Sequence, residues 1–131
     1  MKRDIEIIRQ LLDIFEAHNS ISPIEGYKLK IENVEVDTIT YHVRILEEAG
    51  FIDASFDTPD TNGIYYVNRV NHITWEGHEF FDSLKNKELW NQFVGYLKGE
   101  SKELGTMPLK TMMELFKLFV KNIFEKKLGL K

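Results

Sequence analysis

Thr38-Ile39-Thr40-Tyr41-His42-Val43-Arg44-Ile45-Leu46-Glu47-Glu48-Ala49-Gly50-Phe51-Ile52 is the stretch whose reading decides the fold. Ile39, Val43 and Leu46 recur at i, i+4 and i+7, which is one face of a helix. Asp37 or Thr38 stands where an N-cap belongs, and Gly50 supplies a C-terminal stop. A helix is therefore expected over residues 38–49. His42 lies beside the buried stripe, with one ring nitrogen expected to be hydrogen-bonded. Thr40, Tyr41, Arg44, Glu47 and Glu48 are directed elsewhere. Phe51-Ile52 begins an extended run at once.

Downstream, residues 51–56 and 64–67 are β-prone runs around Asp57-Thr58-Pro59-Asp60-Thr61-Asn62-Gly63, a loop dense in turn formers. That arrangement predicts a β-hairpin. Thr74 then caps a helix carrying Trp75, Phe80, Phe81 and Leu84. Gly77 in its first turn lowers helix propensity, so its expected role is to admit a neighbouring backbone. Upstream, Ile5, Ile8, Leu11, Leu12 and Phe15 form a helical stripe, with Asp4 and Glu6 favoured by the helix dipole. Pro23 and Gly26 mark a turn, and Tyr27-Lys28-Leu29-Lys30-Ile31 alternates like a half-buried strand.

Two further helices follow. Residues 88–97 carry Leu89, Trp90, Phe93, Val94 and Leu97, and Pro108 opens a last helix reaching about Lys127. Trp75 and Trp90 are expected as core or domain-junction anchors. The last helix has an apolar stripe too wide for one contact face. Met112, Leu115, Phe116, Phe119 and Ile123 are therefore the candidate self-association residues of a homodimer.

The expected class is α+β, mainly helical: helix, short strand, recognition-type helix, β-hairpin wing, then C-terminal helices. That is the order of a winged helix-turn-helix domain over residues 1–84, with a helical extension over 85–131. One part departs from the pattern. The first helix of the helix-turn-helix pair should lie between residues 27 and 38, where the chain is too short and too β-branched for one. Either a turn or a local extended segment takes its place.

Met1-Lys2-Arg3-Asp4 with Ile8-Arg9, the run Tyr41-His42-Val43-Arg44-Ile45-Leu46-Glu47-Glu48-Ala49-Gly50-Phe51-Ile52, the block Ile73-Thr74-Trp75-Glu76-Gly77-His78-Glu79-Phe80-Phe81-Asp82, and Trp90-Asn91 together carry a resemblance. The chain resembles an uncharacterised family of unknown function from bacteria, phages and prophages, mostly of Gram-positive hosts, over about residues 1–95. The resemblance implies a winged-helix fold and a regulatory role. It brings no catalytic residue, ligand or operator.

If the domain reads double-stranded DNA, Thr38, Thr40, Tyr41 and Arg44 form the reading face, and Lys28 and Lys30 touch phosphates. A two-fold dimer would set two such helices about one DNA turn, or a multiple, apart. The leading expectation is thus a dimeric DNA-binding regulator of transcription. Charge opposes it. The 131 residues carry 17 Lys+Arg against 21 Asp+Glu, a net charge of −4. Residues 1–70 alone hold 7 basic and 13 acidic side chains, a net of −6. A nucleic-acid binder usually shows a basic excess. The alternative is a winged-helix module whose acidic face binds another protein, a repressor or host factor, or imitates DNA.

No cysteine is present, which excludes disulfides and thiolate chemistry and fits a reducing cytoplasm. No apolar run spans a bilayer, and the N-terminal segment is charged and amphipathic, unlike a secretory signal. His18, His42, His72 and His78 have no cysteine companions and no His-x-x-x-His spacing, so no metal site is expected. No phosphate loop, nucleophile triad or carboxylate pair in an apolar setting emerges. The expectation is a cytoplasmic, cofactor-free protein that is not an enzyme and does not bind membranes.

Overall fold

The computed structural model describes residues 2–18, 20–99 and 107–129. It is α+β and mostly helical, with five α-helices and one three-stranded antiparallel sheet among the described residues. The elements in order are α1 (Ile5–Ala17), β1 (Ile24–Glu25), a 3-10 turn (Gly26–Lys28), α2 (Val36–Glu48), β2 (Ile52–Phe56), β3 (Val67–Ile73), α3 (Trp75–Lys85), α4 (Lys87–Gly99) and α5 (Leu109–Lys127). The chain divides into two compact units, Met1–Phe81 and Asp82–Lys131, with the boundary inside α3.

In the N-terminal unit, α1 buries Ile8, Leu11, Leu12 and Phe15. The Asp4 carboxylate accepts from the Glu6 amide at 2.8 Å, occupying one of the donors a helix start leaves unpaired. α2 buries Ile39, Thr40, His42, Val43 and Leu46. The His42 ring is fully enclosed, and both nitrogens are used. Nε2 accepts the Asp4 amide at 2.8 Å, so Nδ1 carries the proton that it donates to the Thr38 carbonyl at 2.7 Å. This side chain ties the start of α1 to α2.

The sheet order is β1-β3-β2. β2 and β3 pair antiparallel, Ile52 opposite Ile73 and Phe56 opposite Val67. The register slips twice, between Asp53 and Ala54 and between Ser55 and Phe56. Asn71 and Asn68 are thereby left over in β3, and the Asn71 amide donates to the Asp53 carboxylate at 3.1 Å. β1 is brief, pairing Ile24 with Val70 and Glu25 with Arg69.

Two expectations need correction here. The strand expected over residues 27–31 is not one. The chain makes the 3-10 turn at Gly26–Lys28, closed by the Leu29 amide on the Gly26 carbonyl at 3.1 Å. A Cβ on Gly26 would come within 1.9 Å of the Val67 carbonyl oxygen, so glycine lets this turn lie against β3. No helix precedes α2 in residues 29–35, where Asn33 adopts φ 64° within a further turn. The second hairpin strand also begins at Val67 rather than Ile64, so the loop spans residues 57–66.

α3 starts as expected. Thr74 Oγ1 accepts the Gly77 amide at 3.1 Å and donates to the Gly50 carbonyl at 2.6 Å. A Cβ on Gly77 would stand 1.8 Å from the Phe51 carbonyl oxygen, the close approach its position foretold. Phe51 and Phe80 stack with centroids 4.7 Å apart. Trp75 is not a core anchor: it occupies the first position of the helix and is 76% exposed.

In the C-terminal unit, Trp90, Phe93 and Leu97 of α4 are buried, as are Leu109, Met112, Met113 and Phe116 of α5. Phe116 lies 5.4 Å from Trp90 and 5.3 Å from Phe93, while Phe119 lies 5.7 Å from both Phe93 and Tyr96. These ring contacts join α4 to α5 through Trp90, Phe93 and Tyr96 on one helix and Phe116 and Phe119 on the other. This corrects part of the expected self-association set. Met112 and Phe116 close the interior of this pair, at 0% and 4% exposure, and are not available to a second molecule. Leu115, Phe119 and Ile123 remain half-buried at its edge.

Candidate functional site

α2, the 3-10 turn and the hairpin loop together form one face of the N-terminal unit. α2 begins at Val36 after Glu35, which is extended and makes no side-chain cap. Thr38 is half-buried, and its carbonyl is taken by His42. Thr40 is only 6% exposed because its position falls on the packed side of the helix. Its hydroxyl cannot reach a base edge, which removes it from the expected reading face. Tyr41 is half-buried, edge-on to the His42 ring at 5.2 Å.

Arg44 has a different occupation from the one its position suggested. Its guanidinium carbon lies 5.2 Å from the ring centroids of both Phe56 and Tyr65. Nη2 donates to the Tyr65 carbonyl at 3.4 Å. The side chain therefore clamps α2 to the base of the hairpin loop through two aromatic faces. Lys28 and Lys30 are exposed, and Lys28 Nζ sits 5.9 Å from the Tyr27 ring.

The loop is ordered by its own acids. The Asp60 carboxylate accepts the Asn62 and Ile64 amides at 2.8 and 2.9 Å, and the Gly63 amide donates to the Asp60 carbonyl at 3.0 Å. Gly63 at φ 79° completes the turn. The Asp57 amide donates to the Tyr66 carbonyl at 2.8 Å at the loop's base. Residues 57–66 contain Asp57 and Asp60 and no basic side chain.

Beside Arg44's clamp is a groove of about 430 Å³. Glu25, Tyr27, Lys30, Val36, Asp57 and Tyr66 are among the residues lining it, and buried Thr40 forms part of its wall. Tyr27 and Val36 stand 73% and 61% exposed at its margin. Partial burial, followed by a hydrogen bond to Asp37 and the charges of Asp37 and Asp60, raises the Tyr66 phenol above its ordinary 10.0. Each contribution favours the protonated hydroxyl, which donates to the Asp37 carboxylate and joins the start of α2 to the end of the loop.

The electrostatics follow from these placements. Residues 1–81 hold 7 Lys+Arg and 15 Asp+Glu, a net of −8. Of the basic groups, Arg44 is clamped, Arg9 pairs with Glu6 at 3.2 Å, and Arg3 is half-buried with its guanidinium pKa lowered by burial. Around the start of α2, Glu32, Glu35 and Asp37 are all exposed. Sequence reasoning missed the aromatic sandwich on Arg44 and the groove. The signal available for the first was the pair Phe56 and Tyr65 at the two ends of one loop. Among the described residues no group of three His, Asp or Glu side chains is arranged to hold a metal ion. No described helix is long and apolar enough to cross a membrane.

Residues 2–103 match a family described as "Hypothetical protein (DUF2513)". An uncharacterised protein of Haemophilus influenzae (strain ATCC 51907 / DSM 11121 / KW20 / Rd) is 30% identical over 118 residues, covering 87% of this chain and 93% of that protein. No solved structure matches the chain.

Proposed function

The chain belongs to the DUF2513 family, and we propose that its N-terminal unit is a winged-helix module that binds a basic partner protein rather than catalysing a reaction. The winged-helix reading rests on the strand order β1-β3-β2, with α2 immediately before the hairpin and the first helix-turn-helix helix reduced to a turn. A bacterial, phage or prophage setting, as the sequence resemblance implies, suits a cytoplasmic regulatory module of this size.

The observation that carries the choice of partner is the occupation of Arg44. It is the one basic residue of α2, and it is spent on the hairpin loop. What remains on this face is mostly carboxylate and apolar surface: Glu25 and Asp57 line the groove with Lys30, Tyr27 and Val36 edge it, and Glu35, Asp37 and Asp60 stand exposed on the adjoining start of α2 and the loop. Phosphates would be repelled by that set, whereas a Lys- or Arg-bearing segment with an apolar anchor is complementary to it.

The test uses two probes under low salt, a random-sequence DNA duplex and a lysine-rich amphipathic peptide. The expected result is salt-sensitive peptide binding that weakens in Asp37→Asn and Tyr27→Ala, with no saturable binding of duplex at tens of micromolar protein. Duplex binding with a steep salt dependence, and none to the peptide, would overturn the reading.

A second reading, a dimeric DNA-binding regulator, is favoured by the same strand order together with Lys28 and Lys30, which stand exposed at the turn before α2. Tyr41 and Thr38 would then be its base-facing groups. On that reading each of Lys28→Ala and Lys30→Ala lowers the salt slope of duplex binding by about 1.

A further inference from the structure

The chain itself contains a segment of the chemistry that the groove of the N-terminal unit suits. Residues 82–131 hold 10 Lys+Arg and 6 Asp+Glu, a net of +4, against −8 on residues 1–81. α5 alone carries five lysines and two glutamates. It turns Leu109, Met112, Met113 and Phe116 inward. Lys117, Lys121, Phe124 and Leu128 are spaced four, three and four residues apart, so they share one face, about a quarter of a turn from the buried side. All four are exposed, Phe124 by 54% and Leu128 by 71%. The Lys121 ammonium lies 3.9 Å from the Glu125 carboxylate, a long surface pair of the kind that contributes little and yields readily to another acid. This stripe is cationic at one end and apolar at the other.

We propose that the α5 stripe of a second copy of the chain occupies the groove of the N-terminal unit, with Phe124 as the apolar anchor. This rests on the groove's being a site for a basic segment, and it names that segment. The groove has about 430 Å³, room for a phenyl ring, and Leu29, Ile39 and Val67 give it apolar walls. Lys117 and Lys121 bring positive charge to a rim where Glu25 and Asp57 outnumber Lys30, and where Glu35, Asp37 and Asp60 stand exposed close by. Charge selects unlike surfaces: two stripes repel each other and so do two acidic grooves, whereas stripe and groove attract. Each copy presents one of each, so association needs no further component.

Sedimentation equilibrium on the full chain at low salt is the test. At tens of micromolar the mass should exceed that of one chain and fall towards it as salt rises. Lys121→Glu and Phe124→Ser in the stripe, and Asp57→Lys in the groove, should each weaken association roughly 3- to 10-fold, since each reverses one charge or removes a half-exposed ring. The two stripe changes together should leave a monomer. Mixing that double variant with Asp57→Lys should restore a complex, because the first keeps an intact groove and the second an intact stripe. A mixture that stays dissociated overturns the proposal, and is what pairing of like surfaces predicts. The lysine-rich peptide should also dissociate the wild-type complex, a readout that needs no variant to fold. A complex that persists in saturating peptide overturns the proposal too. If the wild-type chain is a monomer yet binds the peptide and loses it in Tyr27→Ala, this inference fails while the groove keeps its basic partner. If neither peptide nor second copy binds, the reading of the groove itself fails.

Discussion

Arg44→Ala separates a residue that reads a ligand from one that holds the fold. In the structure its guanidinium carbon lies 5.2 Å from two aromatic centroids, Phe56 and Tyr65, and a long hydrogen bond of 3.4 Å reaches the Tyr65 carbonyl. Each partly exposed cation–aromatic contact is worth about 0.5–1 kcal/mol. The hydrogen bond, stretched and near solvent, adds about 0.5 kcal/mol. The alkyl stem packs little more, because the side chain is only half-buried. The expected destabilisation is therefore about 2 kcal/mol, which for a unit of this size lowers its melting transition by about 8–16 °C. Arg44→Lys keeps the charge but loses the planar fork and should recover about half of that. Differential scanning calorimetry gives the shift. Hydrogen exchange should show faster exchange confined to the loop, including the amides of Ile64 and Tyr65. A melting point within about 2 °C of wild type would refute the clamp, because no reading that binds Arg44 to Phe56 and Tyr65 predicts so small a change.

Two other substitutions follow from the same geometry. In Gly77→Ala the added methyl would stand 1.8 Å from the Phe51 carbonyl oxygen and 2.7 Å from Ile73 Cγ2. The helix-propensity gain of about 1 kcal/mol is outweighed by displacement of the α3 start from β2, so net destabilisation of about 2 kcal/mol or more is expected in a denaturant titration. Increased stability would show that the two backbones separate easily. For Tyr66, burial and Asp37 raise the folded phenol's pKa above 10.0, so the stability it confers is present below that pH and is lost as pH climbs through the folded value. Tyrosinate absorbance should show one phenol of the five titrating late, and Tyr66→Phe should remove that late step. Persistence of the step would assign it elsewhere.

The helices were legible because their signals are local. Asp4 and Thr74 sit where caps are needed, Gly50 stops α2 at φ 80°, and the apolar stripes of α1 and α2 name their own buried residues. The strands were harder, for a physical reason. β3 reads Val67-Asn68-Arg69-Val70-Asn71-His72-Ile73, and its two register slips insert a residue each, so the alternation that marks a strand is broken. Residues 27–31 show the converse. They alternate, yet a turn forms because Gly26 packs on the Val67 carbonyl. Alternation over five residues is matched by any chain that buries Leu29 and leaves its neighbours in water.

The candidate site was legible in composition but not in assignment. Arg44 stands out in the sequence as the sole cation of a helix shaped to enter a groove, and that is the usual reason to give it a phosphate or a base. Which ring faces meet it depends on Phe56 and Tyr65, 12 and 21 residues further on, whose approach is fixed only when the hairpin closes. The same closure brings the Tyr66 hydroxyl to Asp37 and buries Thr40 beside the groove. Once those contacts form, the net charge of −8 on residues 1–81 is no longer offset on this face by an available arginine. A face that must attract phosphate would place its strongest cation outward. Here the cation holds the loop, and the groove beside it is lined by the carboxylates of Glu25 and Asp57 against the single lysine Lys30. That balance is the ground on which we propose a positively charged segment of protein as its occupant.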